Sequence, residues 1–278
     1  MTSAPATTVA SAVSSDGTVT AYRLLGDPEA RPLVLVHGWA QSSDSWGPEV
    51  LAGLAERFRV VAVDLRGHGH SDVAESGYDS AKQWADDLEA VLESAGIGAG
   101  AILLGWSYGG VVVSDYLAAR GQGRVAGLVL CGAVTSLSRS AGGAIGPAMK
   151  EVTSGGAFDE KPAVALAAFT SFGEAMMRSG SGTDRQRILG LSLSTPPAVR
   201  QKLLTRRVDN DETLRGLTVP ALVMHGDHDG VVLPSAGQAN AEMIPDSRYV
   251  GFTESAHAPF IEELPRFLAE LDAFAAEL

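Results

Sequence analysis

The chain has 278 residues, 45% of them hydrophobic and 19% charged, which is enough for one large α/β domain with a sizeable core. Thirty-three acidic residues against 21 basic ones give a formal charge of −12. That balance argues against nucleic acid and anionic membranes as partners, no run approaches the length of a membrane helix, and a single cysteine, Cys131, leaves no intrachain disulfide and fits a reducing, cytoplasmic setting.

In chain order, residues 1–17 are rich in Ala, Ser and Thr. They carry no basic n-region and no sustained apolar stretch, so they do not read as a signal peptide; a flexible N-terminal tail is expected. Strand-like runs then fall at 18–24, 33–36, 59–65, 101–104, 125–130, 221–224 and 248–252, and helical patterns at 46–55, 81–94, 110–120, 235–244 and 260–277. Such alternation predicts an α/β fold, a mostly parallel sheet with helices on both faces, which binds ligands at the carboxyl ends of its strands. The rhythm breaks over 135–215, where Gly- and Ser-rich spacers separate helical patches bearing Phe158, Phe169, Phe172, Met176 and Met177. This interval is expected to be a helical cap inserted into a core made of 18–134 and 216–278.

Gly105-Trp106-Ser107-Tyr108-Gly109 follows one apolar run and opens onto a helical pattern. A serine on a sharp strand-to-helix turn has its hydroxyl pushed out of the sheet, and the backbone N–H of the next residue, here Tyr108, can hold an oxyanion. A hydrolytic serine also needs a base, and a carboxylate to orient that base. On elbow-type folds the order is Ser, then Asp or Glu, then His. His257 lies in a loop-like stretch before the C-terminal helical pattern, and Asp227 and Asp229 lie just past the run at 221–224. Both aspartates are open on spacing alone. The crowding of His225, Asp227, His228 and Asp229 resembles a metal cluster only superficially, because ligands so close in sequence rarely converge without a second element. No metal and no cofactor are expected. His68 and His70, in a glycine-rich turn without a G-K-[ST] ending, read as loop hydrogen-bonders, and Cys131 as a buried small hydrophobe.

Taken with Leu33-Val34-Leu35-Val36-His37-Gly38-Trp39 and Asp64-Leu65-Arg66-Gly67-His68-Gly69-His70-Ser71, these motifs resemble the α/β-hydrolase superfamily from about residue 18 to the C-terminus. His37-Gly38-Trp39 and the stretch 124–134 resemble its bacterial aryl-esterase, perhydrolase and cofactor-free haloperoxidase branch. The resemblance implies Ser107, Asp229 and His257 as a triad, since the family's loop reads H-G-x-x-D, and it implies the N–H of Trp39 as the second oxyanion donor. The activity implied is hydrolysis of a small, neutral, hydrophobic carboxylic ester through an acyl-enzyme. The cap's apolar residues agree with that substrate and equally with simple helix packing. Alternatives on the same residues are perhydrolysis with haloperoxidase-like halogenation, lactone hydrolysis, C–C bond hydrolysis, and a slow-turnover ligand sensor. Perhydrolytic members carry Pro after the oxyanion residue; this chain has Ala40, which favours ester hydrolysis. A small-molecule ester is thus the expected partner, and the sequence leaves room for a homo-oligomer.

Overall fold

A computed structural model describes residues 7–137 and 144–278. Among them, eight strands form one sheet: β1 (Thr8–Val13), β2 (Val19–Leu25), β3 (Pro32–Val36), β4 (Arg59–Val63), β5 (Ala101–Trp106), β6 (Val125–Cys131), β7 (Ala221–Gly226) and β8 (Ser247–Phe252). Their spatial order is β1-β2-β4-β3-β5-β6-β7-β8. β1 and β2 run antiparallel to their neighbours, and the rest is parallel. Strands buried on both faces must be apolar throughout rather than alternating. β5 and β7 are buried along their whole length.

The helices are α1 (Gly47–Ala55), α2 (Ala81–Ser94), α3 (Gly109–Arg120), α4 (Pro147–Gly155), α5 (Pro162–Met176), α6 (Gly182–Ser194), α7 (Pro197–Thr205), α8 (Asp211–Arg215), α9 (Pro234–Met243), α10 (Pro259–Glu262) and α11 (Leu264–Ala276). Local chemistry sets where they start. The Ser80 side chain accepts from the Gln83 N–H to open α2, Ser181 and Asp184 form a reciprocal capping box on α6, and Pro stands in the first turn of α4, α5, α7 and α9. α2 then buries Trp84, Leu88, Val91 and Leu92 against the sheet.

Two expectations need correction. Within the stretch expected to be a flexible tail, residues 8–13 form β1, paired residue for residue with β2. Gln83 Nε2 donates to Ser14 Oγ at 3.0 Å, and Asp16 pairs with the buried Arg66 at 3.2 Å. The stretch lacks a hydrophobic signal because it is the sheet edge, with Val9 and Val13 facing solvent; main-chain pairing and polar anchors hold it. The single helix expected over 260–277 is two, broken at Glu263, with a proline in the first turn of α11.

Helices α4 to α8 lie between β6 and β7, the interval expected to be an insertion. Several contacts tie them to the rest, among them three between distant segments. The Trp39 indole donates to Arg200 O at 2.8 Å, the His257 amide donates to Met176 O at 3.0 Å, and Arg206 pairs with Asp115 of α3 at 2.5 Å with both side chains fully buried. Among the described residues no helix is long and apolar enough to cross a membrane.

Candidate active site

The strand order reverses around β3, which lies between β4 and β5, and the candidate groups sit past the carboxyl ends of the strands at and beyond that point. β5 ends at Trp106, and α3 starts at Gly109. Between them Ser107 has φ of +56°, a left-handed conformation that costs an L-residue roughly 1–2 kcal/mol. Its amide donates to Cys131 O, and its carbonyl accepts from Gly110 and Val134 amides, so the strained turn is held from three sides. A Cβ on Gly109 would come within 2.2 Å of Val36 O; only glycine lets α3 start this close to β3.

Asp229 lies in the loop after β7 and is buried with His257, which comes after β8. His257 Nδ1 donates to Asp229 Oδ2 at 2.7 Å. The other oxygen, Oδ1, accepts from the Val231 and Val232 amides at 2.8 and 2.9 Å. Burial acts to raise the Asp229 carboxyl pKa, but neighbouring His257 and the hydrogen bonds from His225 and His257 outweigh it and hold it at about 2. The group is therefore a carboxylate at neutral pH, and it selects the His257 tautomer whose free Nε2 lone pair can take a proton. Asp227 is exposed and does not take part in this network. Of the two aspartates left open by spacing, the geometry brings Asp229 to the histidine.

Ser107, His257, Trp39 and Tyr108 line one cavity. A Cβ on Gly38 would lie 2.9 Å from Ser107 Cβ and 3.4 Å from its Oγ, so the loop after β3 comes this close to Ser107 only because residue 38 is glycine. Among the described residues neither the Trp39 nor the Tyr108 backbone N–H donates to a protein acceptor. His37 adds a feature that motif reading did not supply. Its Nε2 accepts from the Leu65 amide at 3.0 Å, which leaves Nδ1–H to donate to Gly38 O at 2.8 Å. That carbonyl shares a peptide plane with the Trp39 N–H, so holding one end turns the other the opposite way. Ala40, two residues on from Gly38, has φ of +55°. Proline is locked near −65°, so the loop in this form excludes proline at position 40.

Two further residues became visible only in three dimensions. Trp106 donates its indole N–H to His257 O at 2.9 Å, fixing the backbone of the histidine loop. His225 is fully buried, with Nε2 at 3.0 Å from Val232 O and 3.2 Å from Asp229 Oδ2. It is a second imidazole on the same carboxylate. The sequence signal was its position four residues before Asp229, but no rule of spacing gives it that partner. His68 is buried and hydrogen-bonds Arg66 O, and burial lowers its pKa to about 3. His70 is largely exposed beside Asp64, and Cys131 is buried at the end of β6. These positions match loop and core roles.

The cavity is small, with about 30 Å³ of free space, room for one or two waters. Its remaining walls are mostly apolar: Val134 and Val232 on the sheet side, and Ile145, Met149, Phe172 and Met176 from the insertion. The Trp39 ring packs against Phe158, Phe169 and Phe172 of the insertion while lining the cavity, so its side chain serves both packing and pocket. A larger cleft of about 300 Å³ lies beyond Val134, but Ser107 and His257 do not line it.

Residues 31–264 match the family described as alpha/beta hydrolase fold. A bifunctional esterase/perhydrolase of Acinetobacter calcoaceticus is 30% identical over 94% of this chain and 97% of its own. A non-heme haloperoxidase of Rhodococcus erythropolis is 30% identical over 88% of this chain and 91% of its own. Among solved structures, the esterase RhEst1 from Rhodococcus sp. ECU1013 superposes with a TM-score of 0.94 at 49% identity, over 97% of this chain and 99% of the other. The chain belongs to the alpha/beta hydrolase fold family, and it is similar across nearly its whole length to that family's bacterial esterase, perhydrolase and non-heme haloperoxidase members.

Proposed function

We propose that the protein is a serine carboxylic ester hydrolase that works through an acyl-enzyme. One observation carries the reading: His257, bonded to a buried, ionised Asp229, opens onto the same cavity as a strained, glycine-flanked Ser107. Ser107 Oγ attacks the ester carbonyl, and its proton passes to His257 Nε2, whose developing charge Asp229 stabilises. The carbonyl oxygen, now negative, is received by the Trp39 and Tyr108 amides, a type of contact worth roughly 3–4 kcal/mol for one donor. His257 returns the proton to the departing alcohol. Water then repeats the sequence on the acyl-serine and releases the acid.

The mostly apolar walls support a neutral, hydrophobic substrate, because a charged group there would lose its hydration without a partner. Kinship to an enzyme named as both esterase and perhydrolase supports a second reading, in which hydrogen peroxide replaces water at the acyl-serine and gives a peracid. The left-handed Ala40 weighs against it as the main activity. A panel of p-nitrophenyl esters, with peracid formation from acetate and peroxide measured alongside, tests both. Ester turnover that is absent, or that does not depend on Ser107, overturns the proposal.

A further inference from the structure

Gln41 lines the cavity that holds Ser107 and His257, and it is 1% exposed. It lies two residues beyond Trp39 on the loop that approaches the nucleophile. Its neighbours dictate the orientation of its amide. Ser192 Oγ donates to Ile188 O at 3.0 Å along α6, which leaves that hydroxyl as an acceptor for Gln41 Nε2 at 2.8 Å, with Ile188 O a longer 3.5 Å from the same nitrogen. Turning the amide over would set its oxygen against Ile188 O and take Ser192 from its own helix bond. Nε2 is therefore committed to α6, and Oε1 is left buried without a protein donor among the described residues.

A buried amide oxygen left unpaired costs about 1–3 kcal/mol. The other polar side chains on the wall have partners or assigned work. The Tyr108 hydroxyl faces Arg206 Nη1 at 3.4 Å, His257 is on Asp229, and Ser107 is the nucleophile of the proposed reaction. Gln41 Oε1 is thus a buried acceptor without a protein donor among the described residues, on a residue that lines a mostly apolar chamber.

We propose that Gln41 Oε1 is a substrate-recognition acceptor, and that the preferred substrates are neutral esters carrying a hydroxyl or amide N–H beside apolar carbon. The inference rests on the ester-hydrolase reading and narrows it. A free carboxylate is disfavoured at this position, since it offers no donor and brings negative charge against a carbonyl oxygen. A site built around a hydrogen bond to the substrate discriminates against the analogue that lacks it more strongly than an apolar pocket discriminates by size.

The test compares matched esters on purified protein: methyl mandelate with methyl phenylacetate, methyl 3-hydroxybutyrate with methyl butyrate, and 2-hydroxyethyl butyrate with propyl butyrate. At least one hydroxylated member is expected to exceed its partner tenfold or more in kcat/KM. Gln41→Met, which keeps the length but removes the acceptor, is expected to bring that ratio close to one. Ser192→Ala, which releases the amide to turn over, is expected to lower it as well. Thermal melts by circular dichroism establish that each variant folds, and the wild-type ratios decide even if one does not. Ratios near one for all three pairs in wild type, as a water held on Oε1 would give, overturn the inference while Ser107-dependent hydrolysis leaves the esterase reading standing. A wild-type preference that survives Gln41→Met also overturns it. Failure to hydrolyse any of the six esters or the p-nitrophenyl panel overturns both readings.

Discussion

Replacing Asp229 by asparagine removes one charge and changes almost no volume, so its effects come through hydrogen bonding and electrostatics rather than packing. The carboxylate accepts from three N–H groups, Val231 and Val232 on one oxygen and His257 on the other, and His225 Nε2, hydrogen-bonded to Val232 O, lies 3.2 Å from that second oxygen. An asparagine has one oxygen. If its NH2 faces the two backbone amides, both are stranded, at about 1–3 kcal/mol each. If it faces the imidazoles, His257 can turn its Nδ1 lone pair to meet it, and its proton moves to Nε2. The second arrangement strands fewer groups and prevails, leaving the base with no lone pair toward Ser107. Ester turnover should fall roughly 10⁴-fold, equivalent to about 5.5 kcal/mol of transition-state stabilisation. A stability effect accompanies it. The wild-type carboxyl is held well below the usual carboxylate value, at about 2, a stabilisation on the order of 2–3 kcal/mol. That contribution is fully present above pH 3.8 and is lost as the pH falls through about 2, so the wild-type advantage over Asp229→Asn should be flat from pH 5 to 8 and shrink below pH 4. p-Nitrophenyl butyrate hydrolysis and urea denaturation across pH measure the two effects. Asp227→Asn, at an exposed site, should stay within about threefold of wild type. An Asp229→Asn enzyme within tenfold of wild type, or an Asp227→Asn enzyme equally impaired, refutes the assignment.

The other predictions are narrower. Ser107→Ala should lose on the order of 10⁶ in kcat with an unchanged circular dichroism spectrum; retention of a tenth of the activity excludes the serine mechanism. His225→Gln, which can keep an N–H near Asp229, should retain more activity than His225→Leu, and equal rates would show that His225 only fills space. Arg206→Met strands the buried Asp115 and should cost about 3–5 kcal/mol in urea unfolding. Ala40→Gly relieves a left-handed alanine and should raise stability by up to about 1 kcal/mol, read as a higher Tm, whereas Ala40→Pro should lower it.

Local patterns made most of the frame readable. The helix expected at 81–94 forms over those residues because Ser80 marks its start and its apolar positions repeat at the helical period. The parallel strands announce themselves as unbroken apolar runs. β1 escaped because an edge strand needs no hydrophobic stripe, and its backbone partner is set by a segment across the turn. At the site, Ser107 and its flanking glycines obey local sterics and so are legible. The links set by tertiary folding were not: His225 to Asp229 depends on how the loop after β7 folds back, His37 to Gly38 O on the Leu65 amide, and Arg206 to Asp115 on a contact 91 residues apart. Each is a meeting of groups whose spacing in sequence carries no periodic signal.

The 30 Å³ chamber has a thermodynamic consequence for how tightly any substrate is held. If the walls must part to admit an ester, only the fraction of molecules in a parted state is competent to bind. If that state lies about 2 kcal/mol above the closed one, it is populated to roughly 3%, and every apparent affinity is weakened about thirtyfold relative to the contacts finally made. The penalty is shared by all substrates and therefore does not choose among them; size selects only through how much further the walls must part. Selectivity is left to interactions completed after closure, while the absolute level of KM reports the equilibrium of the empty protein.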